Sequence, residues 1–397
     1  MRLAQTRVCP AMRQADPTER LRVVLGTRST AELATALEDP SPEVARAAIR
    51  RLVEIAGPGA APQLRSRLLG ADLSLVADLA KALHALGDDE AVEIAIAGLR
   101  EERYVRRLAA ALALARLRDN RAAGALRGAL KDKLAGVRKA ALGALAELGP
   151  DADSANACAE LLSDRDAHVR IAAIRAVARV CARPGALLAQ VARDEQQLVR
   201  LEAARHLARL PARTAAALLA DPDLRVREAA AQAAGRTQLD GVATLLSNDP
   251  AADVRHAAAT TLGRLGDEGT AESLMSAIED PDAIVRVAVL RALQSVLGRA
   301  GAISQLCAAL RAERPGRRRA SLYALAHLEA REAEAEVARL VEDPDPGVRI
   351  ALLQVADALQ SNAAPLIRYL TDDPDPYVHQ AAELRLLGRL RAGEAGG

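Results

Sequence analysis

A segment built on Asp-Pro-Asp-x-x-Val-Arg recurs throughout this 397-residue chain, and a repeat of that length leaves few folds open. It is plainest in DPDAIVRVAVLRAL at 280–293, DPDPGVRIALLQVADAL at 343–359 and DRDAHVRIAAIRAV at 164–177. The Arg of the Val-Arg pair indexes the repeat. It recurs at Arg106, Arg138, Arg170, Arg200, Arg227, Arg255, Arg286, Arg318 and Arg349, with spacings of 32, 32, 30, 27, 28, 31, 32 and 31 residues. The same slot falls on Ala45 and Val76 before this run and on His379 after it. About twelve units therefore tile roughly residues 29 to 390. The slots that break the rule are terminal, where a stack needs atypical caps.

Each unit is predicted to be two helices. In the second helix, apolar residues stand at the Val and three, four, seven and eight positions later, as in Val285, Ala288, Val289, Ala292 and Leu293. That is one face of a 3.6-residue helix. Four residues before the Arg slot stands a capping type, at Ser41, Asp72, Asp166, Asp223, Asp282, Asp345 and Asp375. Pro follows at Pro42, Pro346 and Pro376, where a first helical turn tolerates it. The first helix is shorter and amphipathic, as in DEGTAESLMSAIED at 267–280. One unit cannot bury its apolar face alone, so neighbours must stack on it. Composition agrees: 50% of residues are hydrophobic, yet there is no Trp or Phe and only four Tyr, which suits helices packed through Ala, Leu and Val. The fold class is all-α, an α-α superhelix of about twelve two-helix repeats. Residues 1–28 are expected to form an N-terminal segment with a capping helix, 29–390 the repeat array, and 391–397 a flexible C-terminal tail.

Lys plus Arg number 54 and Asp plus Glu 52, a net charge of +2 that by itself implies neither nucleic acid nor a membrane as partner. Cys9, Cys158, Cys181 and Cys307 are dispersed and form no C-x-x-C pair, which suits free thiols in a reducing compartment. No stretch approaches 18 residues without charge. A cytoplasmic chain without a membrane span is the expectation.

The turn Asp, the Val-Arg at the start of the second helix and the small-residue face behind it resemble HEAT repeats, in the short form of phycobilisome-lyase-like bacterial proteins. Seven units carry both elements: Asp132/Arg138, Asp164/Arg170, Asp194/Arg200, Asp221/Arg227, Asp249/Arg255, Asp280/Arg286 and Asp343/Arg349. The period of about 31 residues is shorter than the ~40–47 of eukaryotic HEAT units. The resemblance implies a HEAT/armadillo-like solenoid in which these residues form a ladder between successive repeats. Electrostatics points the same way: an Arg near a helix N-terminus costs ~0.3–1 kcal/mol unless a carboxylate compensates.

Two kinds of catalytic relative leave no trace, while no short motif decides for or against the bilin chemistry of the lyase-like relatives. HEAT-like deoxyhypusine hydroxylase holds iron with His-Glu dipeptides, which this chain lacks, and HEAT-like alkylpurine DNA glycosylases use aromatic side chains, which it barely has. His84, His168, His206, His256, His327 and His379 occupy six different registers, so no metal site, cofactor site or catalytic constellation is expected. Glu202 and His206, four apart in the sixth unit, are expected either to satisfy one another in the packing face or to form a site with a tuned His.

In stacks of this family the second helix lines the concave side. Five and nine residues after the slot, Arg175, Arg179, Arg205, Arg209, Arg236 and Arg264 form a basic row, extended by Arg50, Lys81 and Arg291, while the first helices carry acids such as Glu268, Glu272 and Glu279. The row is expected to grip an acidic segment of another protein, or to be a solvated helix face. In the tenth unit Ala312 replaces the turn Asp, and Arg317, Arg318 and Arg319 follow Pro315, which implies either an exposed basic knob or a decaying repeat. The 27- and 28-residue spacings imply clipped helices in units seven and eight. A non-catalytic protein–protein scaffold or adaptor is the expected function. The alternatives are an accessory subunit of an enzyme, as among the lyase-like relatives, and nucleic-acid backbone binding through the Arg row, the least favoured partner.

Overall fold

The computed structural model describes residues 16–70 and 72–391. Cys9 and the rest of 1–15, and all of the expected tail beyond Arg391, lie outside the described residues. Among the described residues all regular structure is helical. A leading helix, Pro17–Gly26, precedes twelve helix pairs, from Thr30–Ala36 with Pro42–Ala56 to Ala364–Leu370 with Pro376–Arg391.

The repeated motif explains why each pair forms. At 280–286, the Asp280 carboxylate accepts the Asp282 N–H at 2.9 Å and holds the turn. Pro281 has no N–H to satisfy there. Asp282 then caps the helix, accepting the N–H groups of Ile284 and Val285 at 2.7 and 3.3 Å. Val285 is fully buried, as are Val289 and Leu293 one and two turns later. Asp166 and Asp223 cap their helices in the same way, Asp345 accepts from Val348 alone, and Asp375 accepts from Tyr377 and Val378. Ser41 stands at the equivalent position without a side-chain cap bond.

The chain divides into two compact units: one reaches Ala203 and includes Arg209–Pro211, the other comprises Ala204–Ala208 and the chain from Ala212. Within each, successive second helices lie side by side, as Tyr104–Leu117, Ala135–Leu148 and Ala167–Val180 do in the first unit and Ala252–Leu265 and Ala283–Ala309 do in the second. The core is Ala, Leu, Val and Ile. Ala141, Leu142, Ala144 and Leu145 are all fully buried on one helix. Each such Leu contributes roughly 1.5–3 kcal/mol by leaving water.

Three local departures matter. The helix pair at 283–309 has no loop: Gly298, at φ 71°, turns the chain inside a continuous helical run, a conformation a side chain would strain. The clipped helices lie in units six and seven rather than seven and eight. The sixth unit's second helix stops at Ala204 and closes with a 3₁₀ turn at Leu207–Arg209; the seventh's runs only over Leu224–Ala233. The Arg200–Arg227 interval holds the remainder of the sixth unit's helix, so the deletion falls there. Pro211 bars helix at the residue before it. His206 accordingly lies in the turn after Ala204, beyond the helix that carries Glu202.

Candidate interaction surface

The ladder is built from four groups per rung. Arg138 donates from Nε and Nη2 to the two carboxylate oxygens of Asp164 in the next repeat, at 2.8 and 2.7 Å. Its Nη1 donates to the carbonyls of Asp132 and Lys133 in its own turn. Asp164 accepts the Asp166 N–H as well. The same bidentate pairing joins Arg107 to Asp132, Arg170 to Asp194, Arg227 to Asp249, Arg255 to Asp280, Arg318 to Asp343 and Arg349 to Asp373. Bidentate, charge-assisted bonds of this kind are stronger than neutral ones.

The titration behaviour follows. The Arg349 guanidinium holds the Asp373 carboxyl below the usual carboxylate range. At Asp132, Asp164 and Asp249 burial pushes the carboxyl up, but the arginine bond and the turn N–H together outweigh it, and all three lie low. Bonds to the facing Asp raise Arg170, Arg227, Arg255, Arg318 and Arg349.

Two rungs differ from the sequence expectation. In the third unit's second helix the ladder residue is Arg107, not Arg106: the N-cap is Arg103, so the fourth position falls one residue beyond the Val-Arg pair, and Arg106 instead pairs with Glu101 at the surface. The leading helix carries a rung that the repeat count passed over. Arg20, four residues after the N-cap Asp16, donates from Nε and Nη2 to Asp39 at 2.8 and 3.0 Å. The Asp16-Pro17-x-x-Arg20 spacing was its signal. At the far end His379 takes the slot, its Nδ1 in a short bond with the Thr371 carbonyl.

Several of the outward arginines reach the neighbouring repeat. Arg175 makes a bidentate pair with Glu202 at 2.9 and 2.8 Å; Glu202 is 5% exposed, and the Arg175 bond lets its charge sit there. Arg179 and Arg118 both bond Glu147. Arg209 donates to the Ala178 carbonyl and Arg264 to those of Gln232 and Ala234, capping the C-terminal ends of adjacent helices. Arg299, not anticipated, does the same for Leu328. Arg205 is exposed in the turn after Ala204. Arg236 is exposed and makes no side-chain bond among the described residues, as is true of Arg291.

The expected basic knob is divided. Helix Pro315–His327 does begin at Pro315, with Arg314 as N-cap, so Arg318 points inward: it is 7% exposed and its guanidinium is taken by Asp343, Ala312 and Glu313. Arg318 is a ladder residue and does not belong to an exposed cluster. Arg317 is half-buried and Arg319 exposed.

Among the described residues no three His, Cys, Asp or Glu side chains group to hold a metal ion, and no helix is long and apolar enough to cross a membrane. Burial pushes the Cys158 thiol up to about 12, the behaviour of a small hydrophobe. Cys181 and Cys307 are free thiols.

Comparison with known proteins agrees with this geometry. Residues 239–326 and 303–386 match the family model for HEAT repeats. No curated protein matches the sequence. Among solved structures, Kap95p bound to RanGDP is similar at TM-score 0.51 and 14% identity, over 95% of this chain and 61% of that one. Kap121p bound to Ste12p (TM-score 0.45, 12% identity, 94% of this chain, 49% of that one) and the S. pombe condensin Cnd3–Cnd2 subcomplex (0.44, 15%, 90%, 58%) are more distant. The chain thus spans less than two thirds of each of these proteins. At such identities the likeness concerns fold, and by fold the described chain is an all-α superhelix of HEAT repeats.

Proposed function

We propose that this chain is a non-catalytic scaffold or adaptor that binds another protein on the outward face of its second helices. One observation carries the proposal. The position nine residues beyond the N-cap is solvent-exposed on most of the second helices, with Arg50 and Lys81 in the first unit and Gln232, Thr260, Arg291, Tyr323 and Gln354 in the second. Such a column offers a partner side chains at each repeat without disturbing the core beneath. The basic members favour an acidic segment; among the described residues neither Arg291, in the column, nor Arg236, which lies beyond the second helix in the 3₁₀ turn Arg236–Gln238 and not on its outward face as the spacing implied, makes a side-chain bond. Kap95p, of the same fold, is described with RanGDP bound, which supports protein binding as the use of such a surface. The short period and the Asp-Pro-Asp turn favour the phycobilisome-lyase-like bacterial type of repeat, and the unpaired thiols favour a cytoplasmic setting.

The test is partner capture by the immobilised chain, with identification by mass spectrometry and quantitation against the Arg236→Glu/Arg291→Glu variant. At least tenfold weaker retention by the variant, with unchanged helicity, is expected; equal retention overturns the proposal. A steep loss of binding with salt and a nucleic acid in the eluate would point instead to phosphate contacts.

A further inference from the structure

The ladder has one half-built rung. Arg286 donates from Nη1 to the carbonyls of Asp280 and Pro281, as the ladder arginines from Arg107 onward do to their own turns. The residue that should face its Nε and Nη2 is Ala312, two residues before the N-cap Arg314. Each following turn of Arg107, Arg138, Arg170, Arg227, Arg255, Arg318 and Arg349 supplies an Asp at that position. At Ala45, by contrast, both members are gone, since the corresponding turn residue is Gly70. Arg286 therefore keeps half of a device whose other half is missing. It is exposed, whereas Arg107, Arg138, Arg170, Arg318 and Arg349 are buried. In intact rungs the Asp also accepts the N–H two residues on, as Asp343 does from Asp345. Arg314, at the equivalent place, shows no such acceptor.

Arg286 opens onto a groove of about 490 Å³ between helices Ala283–Ala309 and Pro315–His327. Val287, Leu290 and Ala320 line it with Tyr323 and Arg319, and Arg319 makes no side-chain bond among the described residues. Both carboxylates of the groove are already engaged: Glu279 by Arg314 at 3.3 Å, and Asp280 by Arg255 at 2.7 Å. Two guanidinium groups beside an apolar floor are left without a counter-charge. A guanidinium fork fits a carboxylate bidentately.

We infer that the Arg286 rung is completed in trans: a Glu or Asp side chain of a partner protein enters the place that Asp fills in the other rungs, with Arg319 as second cation and an adjacent apolar side chain on Val287 and Leu290. The inference rests on the scaffold reading and names the chemistry of one contact on that surface. An acidic residue flanked by apolar ones is the recognised element.

The full chain is titrated with a terminally blocked Leu-Glu-Leu peptide, its Leu-Gln-Leu counterpart and inorganic phosphate. The signal is the arginine Nε–H resonance that disappears in Arg286→Lys. A saturable shift with the glutamate peptide is expected, with none from the glutamine peptide. Ala312→Asp supplies the missing carboxylate in cis, and should weaken peptide binding at least tenfold while the chain stays folded. No response, an equal response to glutamine, tighter binding of phosphate, or undiminished binding by Ala312→Asp would each overturn the inference. The broader reading fails differently. If no protein partner is captured while the glutamate peptide still titrates Arg286, the scaffold proposal is lost and the carboxylate site remains. If a partner is captured equally by wild type and Ala312→Asp, only this site is lost.

Discussion

Two adjacent rungs of the second unit use the same arginine for different ends. Arg318 is buried, grips Asp343 at 2.7 Å through two nitrogens and anchors its own turn through a third. Arg286, one repeat earlier, makes only the turn contacts and stands in solvent. The difference separates an arginine held in a buried inter-repeat pair from one that only ties its own turn and whose unfilled position is a surface feature. Breaking the intact rung should have the largest effect. Arg318→Ala leaves Asp343, 6% exposed, as an uncompensated buried charge, and removal of one partner of such a pair costs ~3–5 kcal/mol. A urea midpoint that barely moves would mean that the rung is ornamental.

Acid should act on the intact rungs and spare the open one. Asp132, Asp164, Asp249 and Asp373 titrate lower in the folded chain than their ordinary value. For such a group the folded state binds the proton less readily than the unfolded one, whose Asp titrates near ~3.9. The ladder's contribution is therefore complete above about pH 5 and disappears as pH falls through ~4 toward the folded values. Asp373→Asn should lower stability at neutral pH and flatten this acid limb; an unchanged limb would show that other carboxylates govern it. Filling the open rung comes next. Ala312→Asp should raise stability by about 1–2 kcal/mol, since charge-assisted pairs are worth about that much when part-buried. A loss would mean that Arg286 cannot reach the Ala312 turn.

Fold and ladder were legible because they are local chemistry. A capping Asp, a Pro that needs no N–H and a Val at the first buried position specify a turn and a helix start wherever they occur. The register at Arg106 was not legible, because Arg103 caps that helix and no Asp marked the start. The Arg20 rung had its Asp-Pro signal but lacked the Val-Arg pair by which the units were counted. The surface was less accessible to sequence reasoning, for two reasons. Arg175 meets Glu202 only because neighbouring helices are offset so that the ninth position of one faces the sixth of the next, and a single chain's spacing does not state that offset. Arg209 and Arg264 end on carbonyls, acceptors that every residue offers and no pattern reveals. A row of arginines in the sequence thus became, in space, part inter-repeat mortar and part available surface.

The smallest stability effect belongs to Arg286→Ala, and it isolates the open rung. Its two turn carbonyls lie where water can replace the guanidinium, so the loss should stay within about 1 kcal/mol. The sharper measurement is the cycle that combines it with Ala312→Asp. If the new carboxylate stabilises through Arg286, its gain should vanish in the Arg286→Ala background. A gain that survives would come from the introduced carboxylate capping the following turn by itself, through the Arg314 N–H. The coupling energy therefore separates the two halves of the rung: a value near the full gain assigns it to the arginine fork, and a value near zero assigns it to the turn.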